Sequence, residues 1–306
     1  MEQVTPLEHV TANAQVLLLL VLADWVIFTP IAKRRCKKVR DVYPARWFFV
    51  HSFANLLVVI MSMKSIWAVL KDPLHAMDIE TYPDRSFRSP ATRWPLTIIN
   101  SVHIYHMIGG FRLSGDDYFH HLVFIPTLGF PGQYFNWGPL GPWLGFFISG
   151  LPGGIDYFML ALVKIGALHR LTEKKISANL NAWCRCPGIM VTTVLFCQAV
   201  LYGYYNRDLP TIFIILYIVL PPYNGIYYGR QAVSNYTVNF IKDNILDVVM
   251  KPKYRQSSSS SGKRGNNGAA NEPLNIHMRT SKMTGLEVVD WKAIIADLGK
   301  EPQRAS

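Results

Sequence analysis

Five of the nine histidines in this 306-residue chain fall at or within apolar segments, at spacings that suit shared chemistry. The stretch from Gly115 to Pro126 sets Asp116, Asp117, His120 and His121 against the start of an apolar run. His51 and Asn55 are four residues apart and share a helical face. Asn100, His103 and His106 recur every three residues, a second polar stripe. Asp156 and Lys164 lie eight apart on similar faces of a helix, and Asp24 sits inside another apolar block. Imidazole titrates near neutrality and serves as base, nucleophile or metal ligand, and the pattern does not choose among them. Asp116 and Asp117 either accept imidazole hydrogen bonds, which raises histidine basicity, or complement a helix N-terminus.

These groups need elements to hold them. Half of the residues are hydrophobic and 17% are charged, against about a quarter in an ordinary soluble chain. A bilayer-spanning helix takes about 20 mostly apolar residues. The blocks 14–31, 47–70, 94–111, 140–168, 188–205 and 210–228 qualify, with 119–137 as a weaker one starting at the paired histidines. The expected fold is therefore all-α, a polytopic membrane bundle of about seven transmembrane helices. The first block has Glu2 and Glu8 before it and Lys33-Arg-Arg35 after it, which reads as a retained helix rather than a signal peptide.

Ionisable residues at membrane depth are costly and usually face a bundle interior. His51, His106, His120 and His121 are thus predicted to point into one cavity, with Asp116 or Asp117 near its mouth. Pro139, Pro142, Pro152 and Gly153-Gly154 interrupt the fifth block. The interruption reads either as a cavity beside Asp156 or as a kink or re-entrant bend.

The net charge of +11 is placed for a membrane rather than for nucleic acid. Residues 32–46 carry seven Lys/Arg and one Asp, and further basic residues lie in 169–187 and after Arg230. Basic loops stay cytosolic, so seven spans put the first loop, the fifth loop and the tail on one side. Four scattered cysteines make no disulfide framework, and Cys184-Arg-Cys186 lacks a second pair for a four-ligand zinc site. Four stretches follow: a short N-terminal segment 1–13, the bundle 14–230, a basic membrane-surface segment 231–255 and a disordered cytosolic tail 256–306. Residues 284–299 have the spacing of a short amphipathic helix.

The order of these features resembles the TLC-domain family, which includes ceramide synthases and the translocating-chain-associated membrane proteins. The matching residues are His51 and Asn55, Tyr105-His106, and Asp117-Tyr-Phe-His-His121, within a likeness over roughly residues 45–230. Asn136 and Gly141 follow at about the family's spacing, and Asp156 and Lys164 resemble its later acidic position and lysine. The chain departs from the ceramide synthases where a His-Asp pair follows the glycine: it reads Phe-Phe-Ile-Ser149, with Asp156 several residues late and Pro139 in place of a basic residue.

The resemblance implies a multi-pass protein of the endoplasmic reticulum or another endomembrane, handling a lipid or acyl chain. Its catalytic residues would be His120 and His121, in acyl transfer from acyl-CoA to a sphingoid amine. Its pocket would be formed by His51, Asn55, His103, His106, Asp116, Asp117, Asn136 and Asp156. The expected partners are membrane lipid, not nucleic acid, with homo- or hetero-oligomers formed through transmembrane helices. No metal and no cofactor are expected, and acyl-CoA enters as substrate. Other branches of the family imply a non-enzymatic alternative: lipid sensing, membrane organisation or translocation. His103-Ile-Tyr-His106 also resembles the histidine box of fatty-acid elongases, but Met107 stands where its third histidine belongs.

Overall fold

The computed structural model describes residues 5–78, 90–113, 115–204, 209–246, 278–280 and 287–289. The chain divides into two compact units, Met1–Ser234 and Asn235–Ser306. Among the described residues the helices form seven runs. These are α1 (Pro6–Arg35), α2 (Val39–Lys71), α3 (Trp94–Ile108), α4 (115–134), α5 (Leu140–Lys164), α6 (Arg170–Leu201) and α7 (Thr211–Asp243).

Five of them, α1, α2, α5, α6 and α7, are long and apolar enough to cross a membrane. Large apolar side chains face outward, among them Leu18, Leu22 and Val26 on α1, Ile60 and Trp67 on α2, and Val194 and Leu201 on α6. Asn55, Asn100 and Asp24 are buried instead. A helix satisfies its own backbone groups, so an apolar exterior around a polar interior suits lipid as solvent. This is the architecture of an integral membrane protein.

The boundaries differ from the sequence expectation wherever polar residues continue a helix. α1 starts at Pro6, so residues 6–13 belong to it rather than to a separate segment. The start is fixed by a capping box: Thr5 N–H donates to Glu8 Oε2 at 2.7 Å and Glu8 N–H to Thr5 Oγ1 at 3.3 Å. The supposed loop 169–187 is helical from Arg170 onward, as is most of 32–46. The fifth block is one unbroken helix from Leu140 to Lys164, with no re-entrant bend. α7 continues to Asp243, past the expected end at 228. In the second unit, Glu287–Val289 forms a strand antiparallel to Met278–Thr280, in place of the helix expected there. The rest of 256–306 lies outside the described residues.

Proline explains how four helices keep running. Each of the turns Asp24–Phe28, Ile125–Gly129, Phe146–Gly150 and Asn181–Arg185 is π-helical. In every case a proline (Pro30, Pro131, Pro152 or Pro187) stands two residues beyond the end. A proline ring clashes with the carbonyl four residues back and offers no N–H. Widening that turn moves the carbonyl aside, and the N–H just before the proline bonds five residues back. Thr29 reaches Asp24, Phe130 reaches Ile125, Leu151 reaches Phe146 and Cys186 reaches Asn181.

α2 packs along α5 and against α3, and α1 lies on α3. α3 and α4 form an antiparallel pair held by polar contacts. Asn100 Nδ2 donates to the Gly129 carbonyl at 2.9 Å and to Gln133 Oε1 at 2.8 Å. Gly129 is required by this approach, because a Cβ there would sit 2.3 Å from Asn100 Oδ1. One end of the bundle is fixed by Asp24, which is fully buried. It receives Arg46 Nε at 2.6 Å, the Tyr105 hydroxyl at 2.6 Å and the Thr29 hydroxyl at 3.1 Å. At the same end the Tyr43 hydroxyl donates to the Gly110 carbonyl, and Lys164 pairs with Asp41 at 3.4 Å.

Candidate functional site

The elements α2 to α7 enclose a cavity of about 320 Å³, at the lower end of ligand-sized pockets. His51 reaches it from α2, His103 and His106 from α3, and His120 and His121 from α4. Their rings are neighbours: His103 lies 4.9 Å from His120 and 5.3 Å from His121, and His106 lies 5.0 Å from His121. Trp47 stacks on His106 at 3.7 Å and lies edge-on to His51 at 3.8 Å, and His51 is itself 6.0 Å from His106. Tyr157 stacks on His51 at 4.3 Å.

Hydrogen bonds assign the ring nitrogens. A carbonyl only accepts, so the nitrogen facing it carries the proton. His103 Nδ1–H donates to the Ile99 carbonyl at 2.6 Å, leaving Nε2 as an acceptor in the neutral ring. His120 Nε2 lies 2.9 Å from that atom and is the donor. His120 Nδ1 then accepts from the Tyr228 hydroxyl at 3.5 Å. His121 Nδ1–H donates to the Asp117 carbonyl at 2.5 Å. Its Nε2 is buried and has no hydrogen-bond partner among the described residues. The paired histidines are therefore unlike: His120 is held within a chain of bonds, whereas His121 offers a bare lone pair at the cavity.

The remaining expected residues divide. Asp117 and Asp156 line the cavity. The side chain of Asp116 lies outside the described residues. Asn55 does not line the cavity: its Oδ1 accepts from the Ser149 hydroxyl at 2.8 Å, and its amide presses on Gly153. Asn136 does not either, since its Oδ1 receives the Gly138 N–H at 3.0 Å in the turn before α5. Gly138 has φ of 54°, so this turn uses the left-handed region open to glycine. Lys164 is held by Asp41 rather than sharing a site with Asp156.

Other lining residues escaped the sequence reading: Tyr157, Arg185, Asn224, Tyr228 and Gln231. Asn224, Tyr228 and Gln231 recur at i, i+4 and i+7, a polar stripe on one helical face. That stripe was available in the sequence. Arg185 was hidden because its surroundings looked like a basic loop. The apolar wall includes Leu96, Ile99, Leu128, Leu144 and Ile148. Among the described residues, no group of three or more His, Cys, Asp or Glu is placed to hold a metal ion. Comparison of the chain with protein-family models, with curated proteins and with solved structures gives no match.

Proposed function

We propose that this protein handles a lipid or acyl chain in its histidine-lined cavity, as a divergent relative of the TLC-domain proteins it resembles. One observation carries the reading: five imidazoles and a wall of aliphatic side chains share a single cavity inside an apolar bundle. Lipid tails fit the wall, and the imidazoles suit the polar end of such a ligand. In this reading α3 and α4 also cross the membrane, making seven spans. The cavity then opens toward the cytosol, at the end where Lys33 to Arg46 cluster.

The reaction that the resemblance implies is acyl transfer from acyl-CoA. His121 Nε2 has the lone pair that such a step needs, either to take a proton from the attacking group or to attack the acyl carbon itself. A second, non-enzymatic reading, lipid binding or sensing without chemistry, is favoured by a specific departure. The ceramide-synthase His-Asp pair is replaced by Phe146-Phe-Ile-Ser149, and His103 and His120 engage each other.

Lipid profiling of a deletion strain, rescued with the wild type or with the His120→Ala, His121→Ala double variant, separates the two. Acyl transfer predicts that the variant accumulates normally yet leaves the lipid change uncorrected. Full correction by a stable variant rules out catalysis by these histidines.

A further inference from the structure

We propose that Arg185 is the receptor for an oxyanion carried by a single-chain amphiphile, with the guanidinium taking the head and the aliphatic wall taking the tail. The proposal rests on the lipid-handling reading and adds the chemical class of the ligand.

Arg185 ends the π-helical turn that Pro187 imposes on α6, which delivers its side chain to the cavity. The guanidinium is aimed by its neighbours. Nη2 donates to Asn224 Oδ1 at 3.1 Å, Nη1 donates to Asn181 Oδ1 at 3.5 Å, and the Tyr228 ring lies 5.2 Å from its carbon. Asn181 is itself fixed, because its Nδ2 donates to the Ser177 carbonyl at 3.0 Å. These partners are neutral. Among the described residues Arg185 forms no ion pair, and its Nε is sealed from solvent without an acceptor.

An arginine keeps its charge, presents five donors in a planar fork and matches a carboxylate or phosphate edge-on. Holding that charge inside the protein with no carboxylate in contact is unfavourable. The geometry is therefore that of a site awaiting its counter-ion. A second donor agrees: Gln231 Nε2 is buried, lines the same cavity and also lacks an acceptor. Asp156 faces the cavity with an unpartnered Oδ1. That oxygen can accept from a head group that also carries a donor. Leu96, Ile99, Leu144 and Ile148 leave the tail no polar partner.

The test uses the full chain in an uncharged detergent, with displacement of radiolabelled dodecanoate as readout. Dodecanoate should bind about 10-fold or more tightly than dodecanol, as expected for a charge-assisted hydrogen bond. Arg185→Gln should remove most of that preference, Arg185→Lys should keep part of it, and Lys175→Gln, on an exposed part of α6, should leave it unchanged. Dodecyl phosphate should compete where inorganic phosphate alone does not. Equal binding of dodecanoate and dodecanol to the wild type overturns the proposal while leaving the lipid-handling reading standing. That comparison needs no variant, so poor folding of Arg185→Gln cannot shelter the idea, and Gln231→Leu supplies a second variant expected to weaken the preference. Unchanged preference in a folded Arg185→Gln, or competition by inorganic phosphate equal to that of dodecyl phosphate, also overturns it. If neither dodecanoate nor dodecanol binds, this proposal and the lipid-handling reading fall together.

Discussion

His103 and His120 meet nitrogen to nitrogen, Nε2 to Nε2, at 2.9 Å across the α3–α4 interface. Two imidazoles can share one proton this way only if one ring is an acceptor, and the Ile99 carbonyl makes His103 that ring. The contact ties the third helix to the fourth at the cavity, whereas His121 Nε2 beside it has no hydrogen-bond partner among the described residues.

Removing one partner of this contact should cost more than removing both. His103→Leu strands the His120 donor in a buried site, at about 1–3 kcal/mol. A double-mutant cycle over His103→Leu and His120→Leu, read by thermal unfolding in detergent, should return a coupling on the order of 0.5–3 kcal/mol. Strictly additive losses would mean that the two rings do not bond.

Asp24 and Arg46 form the fixed point of the opposite face of α3. Asp24 is wholly buried and receives Arg46, Tyr105 and Thr29. Arg46→Ala leaves that carboxylate uncompensated, and breaking a buried pair from one side costs about 3–5 kcal/mol. Tyr105→Phe should cost less, about 1–2 kcal/mol, because the pair survives. Thermal unfolding of the two variants in the same detergent should rank them in that order.

Gly129→Ala should disrupt the α3–α4 pair, since the added Cβ would overlap Asn100 Oδ1. Replacing Asn100 by Ala in the same chain opens that space. The double variant should therefore unfold at a higher temperature than Gly129→Ala alone. A single Gly129→Ala chain as stable as the wild type contradicts the close approach.

The segment 32–46 and the tail after 230 should be labelled from the same, cytosolic side. Because α3 and α4 run antiparallel, they return the chain to the side it left whether or not they cross the whole bilayer. The basic clusters thus keep their common side in either case. Accessibility of Cys36 and of a cysteine introduced at Ser257 tests this in a chain otherwise free of cysteine. Reaction of the two from opposite faces would break the assignment.

Much of the fold was legible in the sequence because lipid imposes a coarse rule: long apolar runs become helices, and charges stay at their ends. Where polar residues extend a helix, that rule is silent. Thr5 and Glu8 start α1 well before the apolar run, and Arg170 to Pro187 are helical despite their charge. The prolines were visible, but their effect depends on whether a widened turn can re-pair the backbone. Around Pro152 it does, so the expected break is a π turn. Within the cavity, helical spacing placed His103 and His106 on one face and singled out His51. Spacing along one helix says nothing about what arrives from another, which is why Asn55 reads as a pocket residue and Arg185 does not, while Asn136 enters the expected pocket only through the family resemblance. Asn55 points to Ser149 because α2 and α5 approach closely at Gly153 and Gly154, a contact between residues some hundred positions apart.

The central claim, that the histidine-lined cavity holds an acyl chain, is tested most directly by photo-crosslinking. A diazirine-bearing fatty acid is incorporated into membranes that contain the full chain, and the modified residues are mapped by mass spectrometry. The account predicts labelling at cavity residues such as Ile148 and Leu160, and its loss when Ile148→Trp fills the space. Labelling confined to outward-facing residues such as Leu18, Ile60 and Val194, unaffected by that substitution, would contradict it.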